Sequence, residues 1–173
     1  MRICIAATPS VAIPTLEALL ASDHEIVSVI TRPDAPAGRG RGLRSSAVSD
    51  WASANGIKLH KPESIEEISL LVAAGDLVIT IGFGVLLPET TLNIPKHGFI
   101  NLHFSLLPAW RGAAPVQRAI ENGDHELGIS VFALDQGMDT GPIYRQTSFP
   151  RATDMRSKEA LEFLGEQGVA LIA

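Results

Sequence analysis

The sequence predicts an α/β protein built around one doubly wound, mainly parallel sheet. Short apolar runs alternate along the chain with amphipathic segments, the order expected when each buried strand is followed by a helix that returns across the sheet. The 173 residues are 46% hydrophobic, which is enough for one core, and no repeat or interior linker divides them. We therefore expect residues 1–173 to form a single domain.

Each element is predicted from a local signal. Strands are assigned to short apolar runs, at residues 3–6, 25–31, 76–81, 98–103 and 128–134, the last with an antiparallel partner at 141–147. Helices are assigned to amphipathic segments, at residues 11–20, 45–55, 64–74, 114–121 and 154–172. Ser64 and Glu67 form a capping-box pattern that opens one helix, and Gly56 is placed to end another. Residues 32–42, rich in Pro, Gly and Arg, can be neither helix nor central strand.

Composition argues against several classes of protein. A net charge of -5 is opposite to that of a protein coated with positive charge for nucleic acid. One loop departs from this balance, with the single acid Asp34 against four arginines, Arg32, Arg39, Arg41 and Arg44. No apolar run approaches the roughly 20 residues of a membrane-spanning helix. Cys4, the single cysteine, allows neither a disulfide nor a Cys-based zinc site, and we expect a cytoplasmic protein.

Three polar residues form the candidate site. Asn101 and His103 lie at the carboxyl end of a predicted strand, and residues two apart in a strand project to the same face. In open α/β sheets, ligands bind beyond the carboxyl ends of the strands. Asp139 follows thirty-six positions after His103, in a glycine-flanked turn that can present a carboxylate to the same crevice.

An amide, an imidazole and a carboxylate suit the transfer of a small acyl group to an amine without a metal. Such a transfer passes through a tetrahedral intermediate that carries an oxyanion. The amide of Asn101 and a protonated His103 can stabilise that oxygen by hydrogen bonding. Asp139 can orient and charge the histidine and relay the proton that the amine loses, directly or through water.

Other interpretations of these residues stay open at this point. His103 can be a hydrogen-bonded structural residue, and Asp139 can simply form an Asx-turn. Ser105, close to His103, raises the alternative of a serine nucleophile, but it does not lie in a Gly-x-Ser-x-Gly motif. His97 and His103 are too few ligands for a metal site. Gly82-Phe83-Gly84 follows a strand but lacks the third glycine of a dinucleotide fingerprint.

Three segments resemble a known family. The segment NLHFSLLP at Asn101–Pro108, with Asp139 thirty-six positions after the histidine, resembles the catalytic signature of the folate-dependent formyltransferases. The segments WRGAAPVQRA at Trp110–Ala119 and RPDAPAGRG at Arg32–Gly40 resemble the branch that acts on methionyl-tRNA. The resemblance extends over the whole chain. It implies a Rossmann-like formyltransferase fold, with 10-formyltetrahydrofolate as formyl donor and no metal.

The resemblance also implies roles for individual residues. Asn101, His103 and Asp139 would be catalytic. The folate site would be formed by Ser105, Leu106, Leu107, Pro108, Phe83, Gly84, Val85, Leu86, Leu87, Leu134 and Asp135. The tRNA would be bound by Arg32, Arg39, Arg41 and Arg44. Arginines on a glycine-rich loop suit phosphate contacts, although without the resemblance the same loop reads as an ordinary solvated surface loop.

The implied reaction is transfer of the formyl group to the free amino group of methionyl-tRNA, which supplies formylmethionyl-tRNA for translation initiation. Initiator methionyl-tRNA and folate are the expected partners, and a monomer is expected. In that branch an OB-type domain follows the catalytic one, and this chain stops near the expected join, so weak tRNA binding is expected from fewer phosphate contacts. Two alternatives stay open. One is a formyltransferase for a nucleotide sugar or other small amine; the other is a folate-binding module without turnover, suggested by the bulky Phe104 beside the histidine.

Overall fold

Nine strands and six helices lie within residues 1–37 and 42–172, the part of the chain that the computed structural model describes. The strands are β1 (Arg2–Ala7), β2 (Glu25–Ile30), β3 (Ala35–Ala37), β4 (Gly42–Arg44), β5 (Leu59–His60), β6 (Leu77–Ile81), β7 (Phe99–His103), β8 (Glu126–Ala133) and β9 (Ile143–Pro150). The helices are α1 (Ile13–Leu20), α2 (Ala47–Ala54), α3 (Ile65–Val72), α4 (Glu89–Leu92), α5 (Pro115–Glu121) and α6 (Ser157–Ile172). A 3-10 turn at Ser10–Ala12 leads into α1, and Pro14 lies in the first turn of that helix, where proline is tolerated.

Seven strands form one sheet in the order β5-β2-β1-β6-β7-β8-β9, while β3 and β4 pair as a separate antiparallel hairpin. Neighbouring strands from β5 to β7 are parallel, whereas β8 and β9 join in antiparallel fashion. The chain builds outward from β1 to β2 and β5, then crosses to the other side of β1 to add β6 and β7. Strand order therefore reverses between β1 and β6, the kind of place where such sheets bind ligands. The predicted fold class is confirmed, with a mixed, mostly parallel sheet.

Helices cover both faces of the sheet, and each face has its own apolar core. Alternate residues of β1 face opposite sides: Ile5 packs in the core under α1, α2, α5 and α6, and Cys4 in the core under α3 and α4. Burial raises the pKa of the Cys4 thiol, which keeps it neutral near pH 7. None of the helices in the described ranges combines the length and apolar character needed to cross a membrane.

Each predicted helix and strand is present, with bounds displaced by a few residues. The predicted capping box is only half formed: the Ser64 hydroxyl accepts from the backbone N–H of Glu67, but the Glu67 carboxylate accepts from Glu63 rather than from Ser64. The sequence patterns do not predict β5, α4 or the β3–β4 hairpin. These elements span two to four residues each, which is too short to show a period.

Candidate active site

Asn101 and His103 project from the same face of β7, towards α3 and α4. Leu102, between them, points the other way into the opposite core, where it lies against Gly168 of α6 so closely that a Cβ on that glycine would come within 2.9 Å of its side chain. This alternation follows from the two-residue period of a strand. His103 is the last residue of β7 and is only 8% exposed, so its ring orientation is set by its neighbours rather than by water.

The partners of His103 determine which ring nitrogen is available for chemistry. Nε2 lies 3.0 Å from the backbone carbonyl oxygen of Trp110. Because a carbonyl can only accept, Nε2 must carry a proton and donate it. The other nitrogen, Nδ1, lies 3.8 Å from Oδ2 of Asp139, close enough for an ion pair with a protonated ring but too far for a hydrogen bond. The free nitrogen is therefore Nδ1, which faces Asp139.

Asp139 reaches His103 on a loop that folds back along the sheet. Since β8 is antiparallel to β7, the loop after β8 starts beside the beginning of β7, where the N–H of Leu134 donates to the carbonyl of Phe99. Asp139 has a positive φ of 53°, and its Oδ2 accepts from the backbone N–H of Gly112 at 2.7 Å. The carboxylate is therefore held in place from outside its own loop.

The aspartate that forms an Asx-turn in this loop is Asp135, not Asp139. Oδ1 of Asp135 accepts from the backbone N–H of Gly137 at 2.9 Å, which is the Asx-turn pattern, and from the hydroxyl of Thr140 at 2.7 Å. Asp135 thus shapes the loop from within. That leaves the Asp139 carboxylate for contacts with His103 and Gly112.

The orientation of the Asn101 amide is set by Thr80, a residue that the sequence patterns do not single out. The Thr80 hydroxyl donates to the carbonyl of Ile100 at 3.2 Å, so it must accept from Asn101, whose Nδ2 lies at 2.8 Å. One N–H of the amide is used in this way, and the amide has a second N–H to offer. The only sequence signal was a threonine inside the fully buried run LVITI of β6, where β propensity alone explains it.

A cavity of about 520 Å³ opens beside these three residues. This volume is in the range of small-molecule sites, about 300–1,000 Å³. The Gln136 amide donates to the Glu89 carboxylate of α4 and so joins the loop after β8 to that helix. The cavity is lined by Thr80, Leu92 and residues 82–87, 101–104, 112–115 and 134–139.

Seven of the residues predicted to bind folate line this cavity: Phe83, Gly84, Val85, Leu86, Leu87, Leu134 and Asp135. The other four, Ser105, Leu106, Leu107 and Pro108, are not part of the lining, and their contact with folate stays a prediction. They form the turn after His103, with a cis bond between Leu107 and Pro108. The Ser105 hydroxyl donates to the carbonyl of Ala109 at 2.6 Å and is buried, which argues against a nucleophilic role.

The predicted tRNA-binding arginines are described only in part. Arg32 and Arg44 are exposed, whereas Arg39 and Arg41 lie outside the described residues. The Arg32 guanidinium lies beside Gly84, where a Cβ would come within 3.8 Å of its Nη1, so it borders the cavity wall. The acid of the loop, Asp34, pairs with Lys61 at 2.6 Å. Lys61 therefore neutralises the Asp34 carboxylate, the acid of the loop that contains Arg32.

The geometry also bears on His97 and on Phe104, two residues that the sequence analysis left with alternative interpretations. His97 is exposed and precedes β7, whereas His103 ends that strand, so the two imidazoles lie at opposite ends. Within the described ranges, no group of three or more His, Cys, Asp or Glu side chains could hold a metal ion. Phe104 is 7% exposed and packs in the core, so its ring lies at the wall of the cavity of about 520 Å³ and does not fill it.

The loop Trp110–Ala114 contains left-handed backbone conformations, which are unfavourable for residues with a Cβ. Trp110, Gly112 and Ala114 have positive φ angles of 58°, 83° and 56°. We expect Ala114→Gly to raise the free energy of unfolding by about 0.5–1 kcal/mol, because a left-handed conformation penalises Cβ. Ala113→Gly is the matched control, since Ala113 has no positive φ and should lose stability through added chain entropy. Urea unfolding measures both variants, and a loss in A114G as large as in A113G would contradict the prediction.

Comparison with known proteins defines the class. A family model described as formyl transferase matches residues 1–167, and the chain belongs to that family. Among curated relatives, methionyl-tRNA formyltransferase of Salinispora tropica is 48% identical over 178 residues, covering 99% of this chain and 57% of the relative. The enzyme of the same name from Acidothermus cellulolyticus is 45% identical over 176 residues, covering 99% of this chain and 54% of the relative. The chain thus spans a little over half the length of these relatives.

Solved structures support the fold. Phosphoribosylglycinamide formyltransferase from Bacillus halodurans superposes with a TM-score of 0.78 at 21% identity, covering 100% of this chain and 96% of that one. Glycinamide ribonucleotide transformylase 1 from Symbiobacterium toebii superposes with a TM-score of 0.80 at 22% identity, covering 99% and 84%. At such low identity the likeness concerns the fold alone. The resemblance inferred from the three sequence segments is confirmed at the level of the family.

Proposed function

We propose that this chain transfers the formyl group of 10-formyltetrahydrofolate to the amino group of methionyl-tRNA. The observation that carries the proposal is the convergence of Asn101, His103 and Asp139 on the wall of one cavity of about 520 Å³. The choice of acceptor is supported by the relatives that are 45–48% identical over almost the whole chain, because they bear the name methionyl-tRNA formyltransferase.

In the first step the amine nitrogen attacks the formyl carbon, and the formyl oxygen takes up the electron pair of the carbonyl bond. Two donors are available for that oxyanion: the second N–H of Asn101 and the Nδ1–H of a protonated His103. Donors held in place before the reaction are worth about 10²–10³ in rate each, because no solvent has to reorganise as the charge develops.

In the second step the tetrahedral intermediate collapses and the folate nitrogen leaves. One proton must pass from the attacking amine to the leaving nitrogen, so the overall reaction consumes and releases no proton. Asp139 is the base suited to accept that proton, directly or through a water, since its Oδ2 lies 3.8 Å from Nδ1 of His103. The Gly112 N–H keeps the carboxylate in position while it accepts and returns the proton.

The remaining cavity walls suit a flat heteroaromatic ligand with polar edges, such as the pterin ring of a folate. Residues 83–87 and Leu134 supply apolar surface and backbone polar groups, and the exposed Leu86 and Met138 contribute to the lining. Pockets of this kind bind by apolar contact and take orientation from a few polar groups. Asn101, His103 and Asp139 supply those polar groups at one side of the cavity.

The basic loop favours a tRNA acceptor over a small amine. Arg32 borders the cavity wall, and the exposed Arg44 of β4 pairs with Ala35, three residues after Arg32. Both can therefore meet phosphates of a strand whose end enters the cavity. We include Arg39 and Arg41 in this proposed contact as sequence predictions only. Enzymes with other acceptors share the same fold, so the fold by itself does not select the acceptor.

The experiment that tests the proposal is a formyl-acceptor assay. The protein is incubated with 10-formyltetrahydrofolate and, in parallel reactions, methionyl-tRNA, glycinamide ribonucleotide or a nucleotide-linked amino sugar. We expect formylmethionyl-tRNA as the main product. At tRNA concentrations below saturation the rate should fall steeply between about 50 and 200 mM salt, because binding to phosphates releases counterions and salt opposes that release. Formylation of a small amine alone would establish the other acceptor class, and folate binding without any transfer would establish a non-catalytic module.

A further inference from the structure

We propose that Asp124 and Trp110 are positioning residues for His103, although neither lines the cavity. The proposal deepens the proposed function, since it concerns the same site, but its first measurement needs no substrate. It starts from the segment Trp110–Ala114. The carbonyl oxygen of Trp110 accepts a hydrogen bond from Nε2–H of His103, and the backbone N–H of Gly112 donates to the carboxylate of Asp139. One short loop therefore holds both side chains that would handle protons.

This loop does not adopt its conformation through local preference. Trp110 has a φ of 58°, and a left-handed conformation is rare for a bulky aromatic residue because Cβ approaches the following carbonyl. Such a conformation persists only where surrounding contacts impose it. An external contact must therefore hold Trp110, and the structure shows a strong candidate on its side chain.

That contact is a hydrogen bond between the indole and Asp124. The Trp110 Nε1–H donates to Oδ2 of Asp124 at 2.7 Å. Asp124 is itself fixed after the end of α5: its backbone N–H donates to the carbonyl of Ala119 at 3.0 Å, and its backbone oxygen accepts from Nε of Arg151 at 2.6 Å. Its other carboxylate oxygen, Oδ1, accepts from the side chain of Asn122 at 2.7 Å.

A continuous path thus runs from a rigid position to the reacting histidine. Asp124 holds the indole, the indole holds the backbone of Trp110 in its disfavoured conformation, and the Trp110 carbonyl holds Nε2 of His103. Without the bond to Asp124, Trp110 can return to negative φ, which moves its carbonyl away from His103. The ring then loses the partner that keeps Nδ1 directed at Asp139.

The test uses two variants that delete the same bond from opposite ends, Asp124→Ala and Trp110→Phe. Asn122→Ala is the matched control, because it deletes the bond to the other oxygen of the same carboxylate. Asp124→Asn is the conservative variant, because its amide oxygen can still accept from the indole. Variants that stay folded by circular dichroism are compared, and W110F, which retains an aromatic ring, serves if D124A does not fold.

The first readout is the 15N NMR spectrum of the His103 ring, followed as pH is varied and assigned by loss of the signals in His103→Gln among the five histidines. We expect D124A and W110F to change the ring shifts and the titration midpoint of His103, and N122A and D124N to leave both at wild-type values. Unchanged His103 signals in both D124A and W110F would overturn the proposal, whether or not the chain transfers formyl groups.

The second readout is formyl transfer, which separates this proposal from the proposed function. We expect D124A and W110F to lower kcat about ten- to a hundredfold with little change in KM, since a misplaced catalytic group costs rate rather than binding. The double variant should be no slower than the slower single variant, because both substitutions remove the same hydrogen bond between the indole and Asp124. Independent, multiplying losses would overturn the proposal, whereas an inactive wild type would overturn only the proposed function.

Discussion

Asp139→Asn is expected to lower kcat for formyl transfer by about 10²–10⁴ while leaving the fold intact. Asparagine has the same shape, and its amide oxygen can still accept from the N–H of Gly112. It can neither take the proton from the amine nor balance the charge of a protonated His103, whose Nδ1 lies 3.8 Å from the carboxylate. The measurement is a single-turnover assay with 10-formyltetrahydrofolate and methionyl-tRNA at saturating concentrations.

Two further variants complete this prediction. Asp154→Asn makes the same chemical change at an exposed position outside the site and should retain full activity. His103→Ala should be about as inactive as D139N, and the double variant scarcely worse, because residues that act as a unit give non-additive losses. A fully active D139N would remove Asp139 from the mechanism.

Phe132→Ala is expected to lower the free energy of unfolding by about 3–5 kcal/mol, the usual cost of deleting a fully buried aromatic ring. Phe132 is completely buried in β8, where it pairs with Asn101 of β7. Its ring packs edge-on against His103, with centroids 6.3 Å apart. The variant should therefore lose part of its activity as well, since the cavity left behind gives the imidazole room to move. Urea unfolding gives the stability change from the shift in midpoint.

Phe132→Leu is the control for this second prediction. It keeps a large apolar side chain, so the loss of stability should be clearly smaller than in F132A, while the edge contact with His103 is removed in both. A loss below about 1 kcal/mol in F132A would show that the site collapses to fill the space. In that case the ring would not be an important support of the histidine.

The helices and strands that could be predicted are those long enough to show an apolar run or a helical period. The buried strand LVITI of β6 and the helix α6 have clear apolar patterns, and the antiparallel partner of β8 is the next strand-like run along the chain. The pairing of β5 could not be predicted, because two residues show no period and join the sheet only through the backbone of β2. The same reason applies to α4, a single turn of four residues.

In the candidate site, the side chains with chemical function could be predicted and the groups that orient them could not. Asn101, His103 and Asp139 stand out because amide, imidazole and carboxylate groups are informative by residue type. The groups that hold His103 and Asp139 are the carbonyl of Trp110 and the N–H of Gly112, and every residue has a carbonyl while nearly all have an N–H. A sequence pattern therefore contains no sign of them, and only the backbone path reveals their positions.

At Arg111, in the loop from Trp110 to Ala114, the site depends on chain length more than on residue identity. Between the carbonyl of Trp110 and the N–H of Gly112 there is one residue, Arg111, whose side chain takes part in neither contact. Many substitutions at Arg111 leave that spacing unchanged. Inserting or deleting a single residue there changes it, and would separate the support of the imidazole from the support of the carboxylate in one event. At this one position, tolerance to substitution and intolerance to a change in length have the same structural origin.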